Sequence, residues 1–150
     1  MIGLIQRVRR AEVRSQGRLL GAIERGTLAL IGVRRGDDRL AAERLLERLL
    51  AYRIFPDDAG RMNVSLREAG GGLLLVPQFT LAADTRKGTR AGFSTAAAPE
   101  VANALFAYLV QRAGACHAPV ASGEFGADMQ VELINDGPVT FWLETRGASG

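Results

Sequence analysis

Cysteine and histidine are almost absent from this chain, which has one of each in 150 residues, Cys116 and His117. A lone thiol excludes an intramolecular disulfide framework and a multi-cysteine zinc site, and it fits a reducing compartment. No apolar run approaches the ~20 residues of a membrane span. The opening MIGLIQRVRR also lacks a long apolar segment ahead of a cleavage site, so a cytoplasmic protein is expected, neither exported nor held in a membrane. The G-x-x-x-x-G-K-[ST] cradle, a helix-opening G-x-G-x-x-G and H-E-x-x-H are all missing. Nothing in the residues implies a cofactor or a metal.

Side-chain nucleophiles are equally scarce. Gly92-Phe93-Ser94-Thr95-Ala96 half resembles a nucleophile elbow, but the sole histidine precedes any later aspartate instead of following it. Cys116 and His117 are adjacent, and neighbours on a strand point to opposite faces, so a core thiol beside a surface imidazole is expected in place of a dyad. Any catalysis must then come from backbone groups, Ser or Thr hydroxyls, Gln, or the substrate itself.

What is present describes one globular domain, residues 1–150. Hydrophobic residues make up 47% and charged residues 23%, which excludes a disordered chain. The net charge of +3 permits an anionic partner without requiring one. Cationic groups gather at Arg7, Arg9, Arg10 and Arg14, and again at Arg86, Lys87 and Arg90.

Period and punctuation divide the chain into strands and two helices. Residues 2–8 and 11–14 read as two strands joined by a bend, and Gln16-Gly17 as a turn. Arg18 to Glu24 and Thr27 to Val33 look like a hairpin split at Arg25-Gly26, its second arm apolar enough to be buried on both faces. Asp37 and Asp38 precede a stripe of Leu40, Ala42, Leu45, Leu46, Leu49 and Leu50, which predicts a helix ending before Phe55-Pro56. Turns at 57–60 and 70–72 bracket a stretch without a clear pattern.

Leu73 to Val76 then reads as a central strand stopped by Pro77. The segment 77–93, polar and basic, is expected to be a long surface loop, and such loops are uncommon in compact domains unless functional. A second helix opens at Pro99 and stops at Gly114. Strands at 116–120, 130–135 and 139–144 complete an α+β fold.

The last two strands flank Asn135-Asp136-Gly137-Pro138. That centre reads as a tight turn or a bend, and Gly137-Pro138 is a bond where a cis peptide costs only about 0.5–1 kcal/mol.

Five separated segments carry a resemblance. They are Ile5-Gln6-Arg7-Val8, Tyr52-Arg53-Ile54-Phe55, Pro77-Gln78-Phe79-Thr80-Leu81 with its continuation to Gly88, Gly123 to Met129, and Asn135 to Thr140. Together they resemble the D-aminoacyl-tRNA deacylases, in the family's order and at the family's length. The resemblance implies a single-domain α+β fold, a mixed and largely antiparallel sheet or half-barrel with two helices. It also implies a homodimer with its active sites at the subunit interface and no metal or cofactor.

The implied reaction is hydrolysis of the ester joining a D-amino acid, or glycine mischarged on tRNA-Ala, to the 3′-terminal adenosine of tRNA. Gly137 and Pro138, joined by a cis bond and lent by the other subunit, would exclude an L side chain and receive the amino group. Gln78, Phe79 and Thr80 would line the opposite wall with main-chain donors near the ester. Arg7 would brace the loop, and Phe125 with Met129 would seat the adenosine.

One departure stands out: the family's motif begins with Ser where this chain has Pro77. The alternative it raises is a tRNA-binding relative with weak or no turnover.

Overall fold

The computed structural model describes residues 1–149. Its spine is one long strand, β1 (Ile2–Ser15), and not the two strands with a bend that its sequence suggests. Gln16 and Gly17, both at positive φ (51° and 75°), turn the chain back as expected. The next two strands do not form a hairpin with each other. β2 (Arg18–Ile23) and β3 (Gly26–Gly32) both pair antiparallel with β1, Ile23 against Ala11 and Gly26 against Val8.

Arg25-Gly26 is therefore a kink within one returning arm. Gly26 is required for a different reason than a turn: a β-carbon there would lie 2.0 Å from the Gly72 carbonyl oxygen. Only a residue without a side chain lets β3 approach β6 (Gly72–Pro77), its parallel neighbour.

The sheet runs β2-β1-β3-β6-β7, with β7 (Val120–Ser122) parallel to β6 and β8 (Gln130–Glu144) added antiparallel along β1. β2 also lies against β7, so the sheet curls into a nearly closed half-barrel. This mixed, largely antiparallel α+β sheet is the expected fold class. A separate hairpin of β4 (Arg53–Pro56) and β5 (Met62–Ser65) closes around the turn at Asp57.

The curl creates two cores, and β6 shows why its run is wholly apolar. Leu73 and Leu75 pack under the helices, while Leu74 and Val76 point into the barrel with Val8, Val13, Ile23 and Leu28. A strand buried on both faces has no polar positions to spare.

The outer layer is α1 (Arg39–Ala51) beside α3 (Pro99–Cys116). α1 buries Ala41, Ala42, Leu45, Leu46, Leu49 and Leu50, one stripe at helical spacing. Truncating Leu45 or Leu49, both essentially inaccessible, belongs to the class of core deletions that cost about 2–5 kcal/mol. Asp38 caps α1 through the Ala41 amide at 2.9 Å. Asp37 stays outside the helix and accepts from the Arg34 amide at 2.6 Å.

Three further details differ from the expectation. A single-turn helix, α2 (Leu66–Ala69), follows β5, with Ser65 and Glu68 forming a reciprocal capping box. α3 runs through Gly114 to Cys116, so no strand begins there. Cys116 is consequently an exposed helix-end thiol instead of a core one, and His117, half-buried, sits 2.7 Å through Nε2 from the Gly71 carbonyl oxygen.

Candidate active site

Two features of the sheet define the candidate site, a groove at the end of β6 and a bulge in β8. The groove, about 440 Å³, is lined by Pro77, Gln78 and Phe79 on one side and by Phe125 and Met129 on another, with Pro99 at the start of α3. Three segments far apart in sequence thus meet, and five of the predicted site residues line one cavity.

Local structure explains each position. Pro77 ends β6, where its missing N–H costs no ladder bond because β7 stops at Ser122, opposite Leu75. Gln78 donates its amide to the Ile31 carbonyl at 2.7 Å, and the chain turns into one 3-10 turn, Phe79–Ala82. The expected long loop is therefore partly structured. It is pinned further by paired bonds between Asp84 and Gly92 at 2.7 and 2.9 Å.

The leading amides of that turn, those of Phe79 and Thr80, have no acceptor inside it. Thr80 is exposed and does not line the groove, but the Gln78 side-chain amide donates to its hydroxyl at 2.6 Å. None of the groove's lining side chains is ionisable.

The Gly137-Pro138 stretch is a bulge within a continuing strand, not a hairpin turn. Val8 pairs with Asn135 and Gln6 with Thr140, so residues 136–139 oppose Arg7 alone. Asn135 closes the neck by donating its side-chain amide to the carbonyls of Arg7 (3.1 Å) and Val139 (2.9 Å). Arg7 spans the interior, donating through Nε to the Asp136 carbonyl at 3.0 Å and through Nη1 to the Ile54 carbonyl at 2.7 Å.

The Gly137–Pro138 bond is cis, as is Ala118–Pro119. Gly137 has φ +132°, and a β-carbon there would meet Val139 Cγ2 at 2.7 Å and Arg7 Nη2 at 3.0 Å. No other residue type fits that backbone without strain.

Gly137 and Pro138 are exposed and line no part of the groove. The structure brings together Pro77, Gln78, Phe79, Phe125 and Met129, and separately Arg7 with the Gly137 bulge. Sequence reading misses Asn135 as the residue that closes the bulge, although an Asn beside a Gly-Pro pair is a signal for local side-chain-to-backbone bonding. It also misses Pro99 as a groove wall, because nothing local to it points to a cavity, and it does not single out Ala127 within the Gly123 to Met129 segment.

Among the described residues there is no group of three His, Cys, Asp or Glu side chains that could hold a metal ion. No helix among them is long and apolar enough to cross a membrane.

Comparison with known proteins places this curled mixed sheet in one enzyme family. The sequence profile described as D-Tyr-tRNA(Tyr) deacylase matches residues 4–144, and the chain belongs to that family. It is 66% identical to the D-aminoacyl-tRNA deacylase of Alkalilimnicola ehrlichii over 97% of both chains. Identity to the enzyme of the same name from Thioalkalivibrio sulfidiphilus is 65%, over 96% of this chain and 97% of that one.

Among solved structures, a c-Myc DNA unwinding element binding protein superposes with a TM-score of 0.92 at 33% identity, covering 98% of this chain and all of that one (100%). A probable eukaryotic D-amino acid tRNA deacylase, at 19% identity, superposes with a TM-score of 0.78 over 95% of this chain and 98% of that one and shares the fold.

Proposed function

We propose that this chain hydrolyses the ester of D-aminoacyl-tRNA, and of glycine mischarged on tRNA-Ala, as a homodimer. In that assembly the Gly137–Pro138 bulge of one copy completes the groove of the other. The observation that carries the proposal is the separation of groove and bulge within one chain. The groove has walls for a nucleoside and an ester but no chiral selector of its own, while the exposed bulge has no role within its own chain.

In this reading the terminal adenosine lies against Phe125 and Met129, and the aminoacyl ester lies along Gln78, Phe79 and Thr80. Water adds to the carbonyl carbon, and the bond from that carbon to the ribose oxygen breaks. The ribose oxygen leaves as a hydroxyl carrying a proton, and the amino acid leaves as its carboxylate. The amides of Phe79 and Thr80 are the donors for charge building on the carbonyl oxygen. With no ionisable wall, proton movement falls to water and the neighbouring ribose 2′-hydroxyl.

Chirality is read by main-chain carbonyls of Gly137 and Pro138, which accept from the substrate's ammonium group and clash with an L side chain. A thousandfold preference needs about 4 kcal/mol. A steric clash with one unpaired buried polar group is of that size, and the backbone carrying those oxygens is held on either side, at the Asp136 carbonyl by Arg7 and at the Val139 carbonyl by Asn135.

The test is deacylation of paired D- and L-tyrosyl-tRNA by purified protein. D-tyrosine should be released far faster than in buffer and L-tyrosine at the buffer rate. Release of neither leaves the weakly active tRNA-binding alternative. Equal release of both removes the chiral role of the bulge.

A further inference from the structure

Beyond the ester site, a strip of surface runs from the groove to a cluster of unpaired cations. The groove shares Phe79 and Pro99 with a second hollow, which shares Arg35 and Gly36 with a third, and that one shares Ser94 with a fourth. Where the strip leaves the groove, Phe79 and Phe93 stack with centroids 4.8 Å apart and planes 20° apart. Each ring is still 43% exposed, an unusual state for two phenylalanines whose faces pack.

At the far end Arg35 and Arg146 line one hollow, and Lys87 and Arg90 the next. None of these four forms an ion pair among the described residues. The acids of the strip are already engaged. Asp84 is taken by Arg86 at 2.7 Å, and Asp37 by the Met1 amine at 2.9 Å and the Arg34 amide. The strip thus carries free positive charge beside exposed aromatic faces, the combination that suits phosphates and unpaired bases.

The other way out of the groove, past Gly126 and Ala127, has the opposite character. It leads to Ser15, Gln16, Arg18, Glu124 and Asp128, where acids outnumber the lone arginine and Glu124 lies 3.8 Å from Arg18. A polyanion entering there would meet repulsion.

We propose that Arg35, Lys87, Arg90 and Arg146 form a phosphate-binding rim for the acceptor end of tRNA, reached across the Phe79–Phe93 pair, so that the nucleic acid leaves the groove on this side. The proposal rests on the deacylase reading for the nature of the polyanion. It adds a direction and four residues that touch neither the ester nor the amino acid.

The experiment compares the wild type with Arg35→Gln/Arg146→Gln, with Lys87→Gln/Arg90→Gln, and with a charge-matched control, Arg61→Gln/Arg112→Gln. Binding of uncharged tRNA is measured against salt concentration. Cleavage is measured on D-tyrosyl-tRNA and on the short ester D-tyrosyl-adenosine, which carries no stem phosphates.

Each rim pair should flatten the log–log salt slope by about one unit per lost phosphate contact. It should also raise KM for D-tyrosyl-tRNA tenfold or more, while the short ester is cleaved at the wild-type rate and the control matches the wild type. Unchanged slope and KM, or an equal loss in the control, overturns the rim. If the wild type cleaves neither ester, the deacylase reading fails, and the salt slopes still decide whether the rim holds tRNA.

Discussion

Arg7 reaches from β1 to the bulge in β8 and holds the Asp136 carbonyl at 3.0 Å, fixing the backbone one residue before Gly137. Its second bond, to Ile54 at 2.7 Å, ties the same guanidinium to the β4 strand, so the bulge is anchored to the body of the fold. Lysine cannot make both bonds in that fork geometry. A charged hydrogen bond is worth about 1.5–3 kcal/mol. Arg7→Lys should therefore lower kcat/KM on D-tyrosyl-tRNA by roughly 10- to 100-fold and let some L-tyrosyl-tRNA be cleaved. Wild-type kinetics on both substrates would remove the bracing role.

Pro77 lines the groove at the position where the resemblance implies Ser. Restoring the hydroxyl in Pro77→Ser adds at most one hydrogen bond, about 0.5–1.5 kcal/mol, so kcat/KM should rise by no more than about tenfold. A much larger gain would mean that the present chain is the weakly active relative. The comparison needs only the two proteins and one substrate.

The strip of groove-lining residues contains no group that titrates near neutrality. The pH profile of kcat/KM should then lack the bell shape of an enzyme acid and base, its one inflection following the substrate's own ammonium group. His117, tied to Gly71, is outside the groove, so His117→Asn should leave the profile in place. An inflection that vanishes in that variant would place a histidine in the chemistry.

Asp38 accepts from the amides of Ala41 at 2.9 Å and Ala148 at 3.1 Å, and those bonds hold its carboxyl below the usual carboxylate range. A depressed folded pKa stabilises the fold above the unfolded value of about 3.9, and that contribution is lost as pH falls through the lower folded value. Asp38→Asn keeps an acceptor but has no charge to lose. The Tm gap between wild type and Asp38→Asn should be present at pH 7 and shrink below about pH 4. A constant gap would mean that the charge contributes nothing.

Local patterns carry much of this architecture and misjudge a definable part. The α1 stripe, the Asp38 cap, the doubly buried run of β3 and the central strand β6 are set by residues within one element, and they appear as read. Arg25-Gly26 and Asn135-Asp136-Gly137-Pro138 look like hairpin turns locally, yet both strands continue, because β1 is long enough to pair on either side of each interruption. Gly26 answers to Gly72, and the bulge answers to Arg7, partners distant in sequence. A strand at Cys116 is the local reading because Gly114 is a helix stop by propensity, whereas here α3 passes through it. At the site, the motif residues are legible by resemblance. The groove's wall at Pro99 arises only from the fold, whereas the neck at Asn135 has a local signal whose partner carbonyls only the fold supplies.

The composite site is the central claim, and mixed dimers test it most directly. Gly137→Ala removes the bulge's backbone conformation, and Ala127→Trp fills the groove. Each variant alone should be inactive on D-tyrosyl-tRNA. In a two-fold dimer that exchanges the bulge, co-refolding the two in equal amounts gives roughly half heterodimers, each with one intact site, and should recover about a quarter of wild-type activity. A mixture as inactive as its components would contradict a site shared between chains.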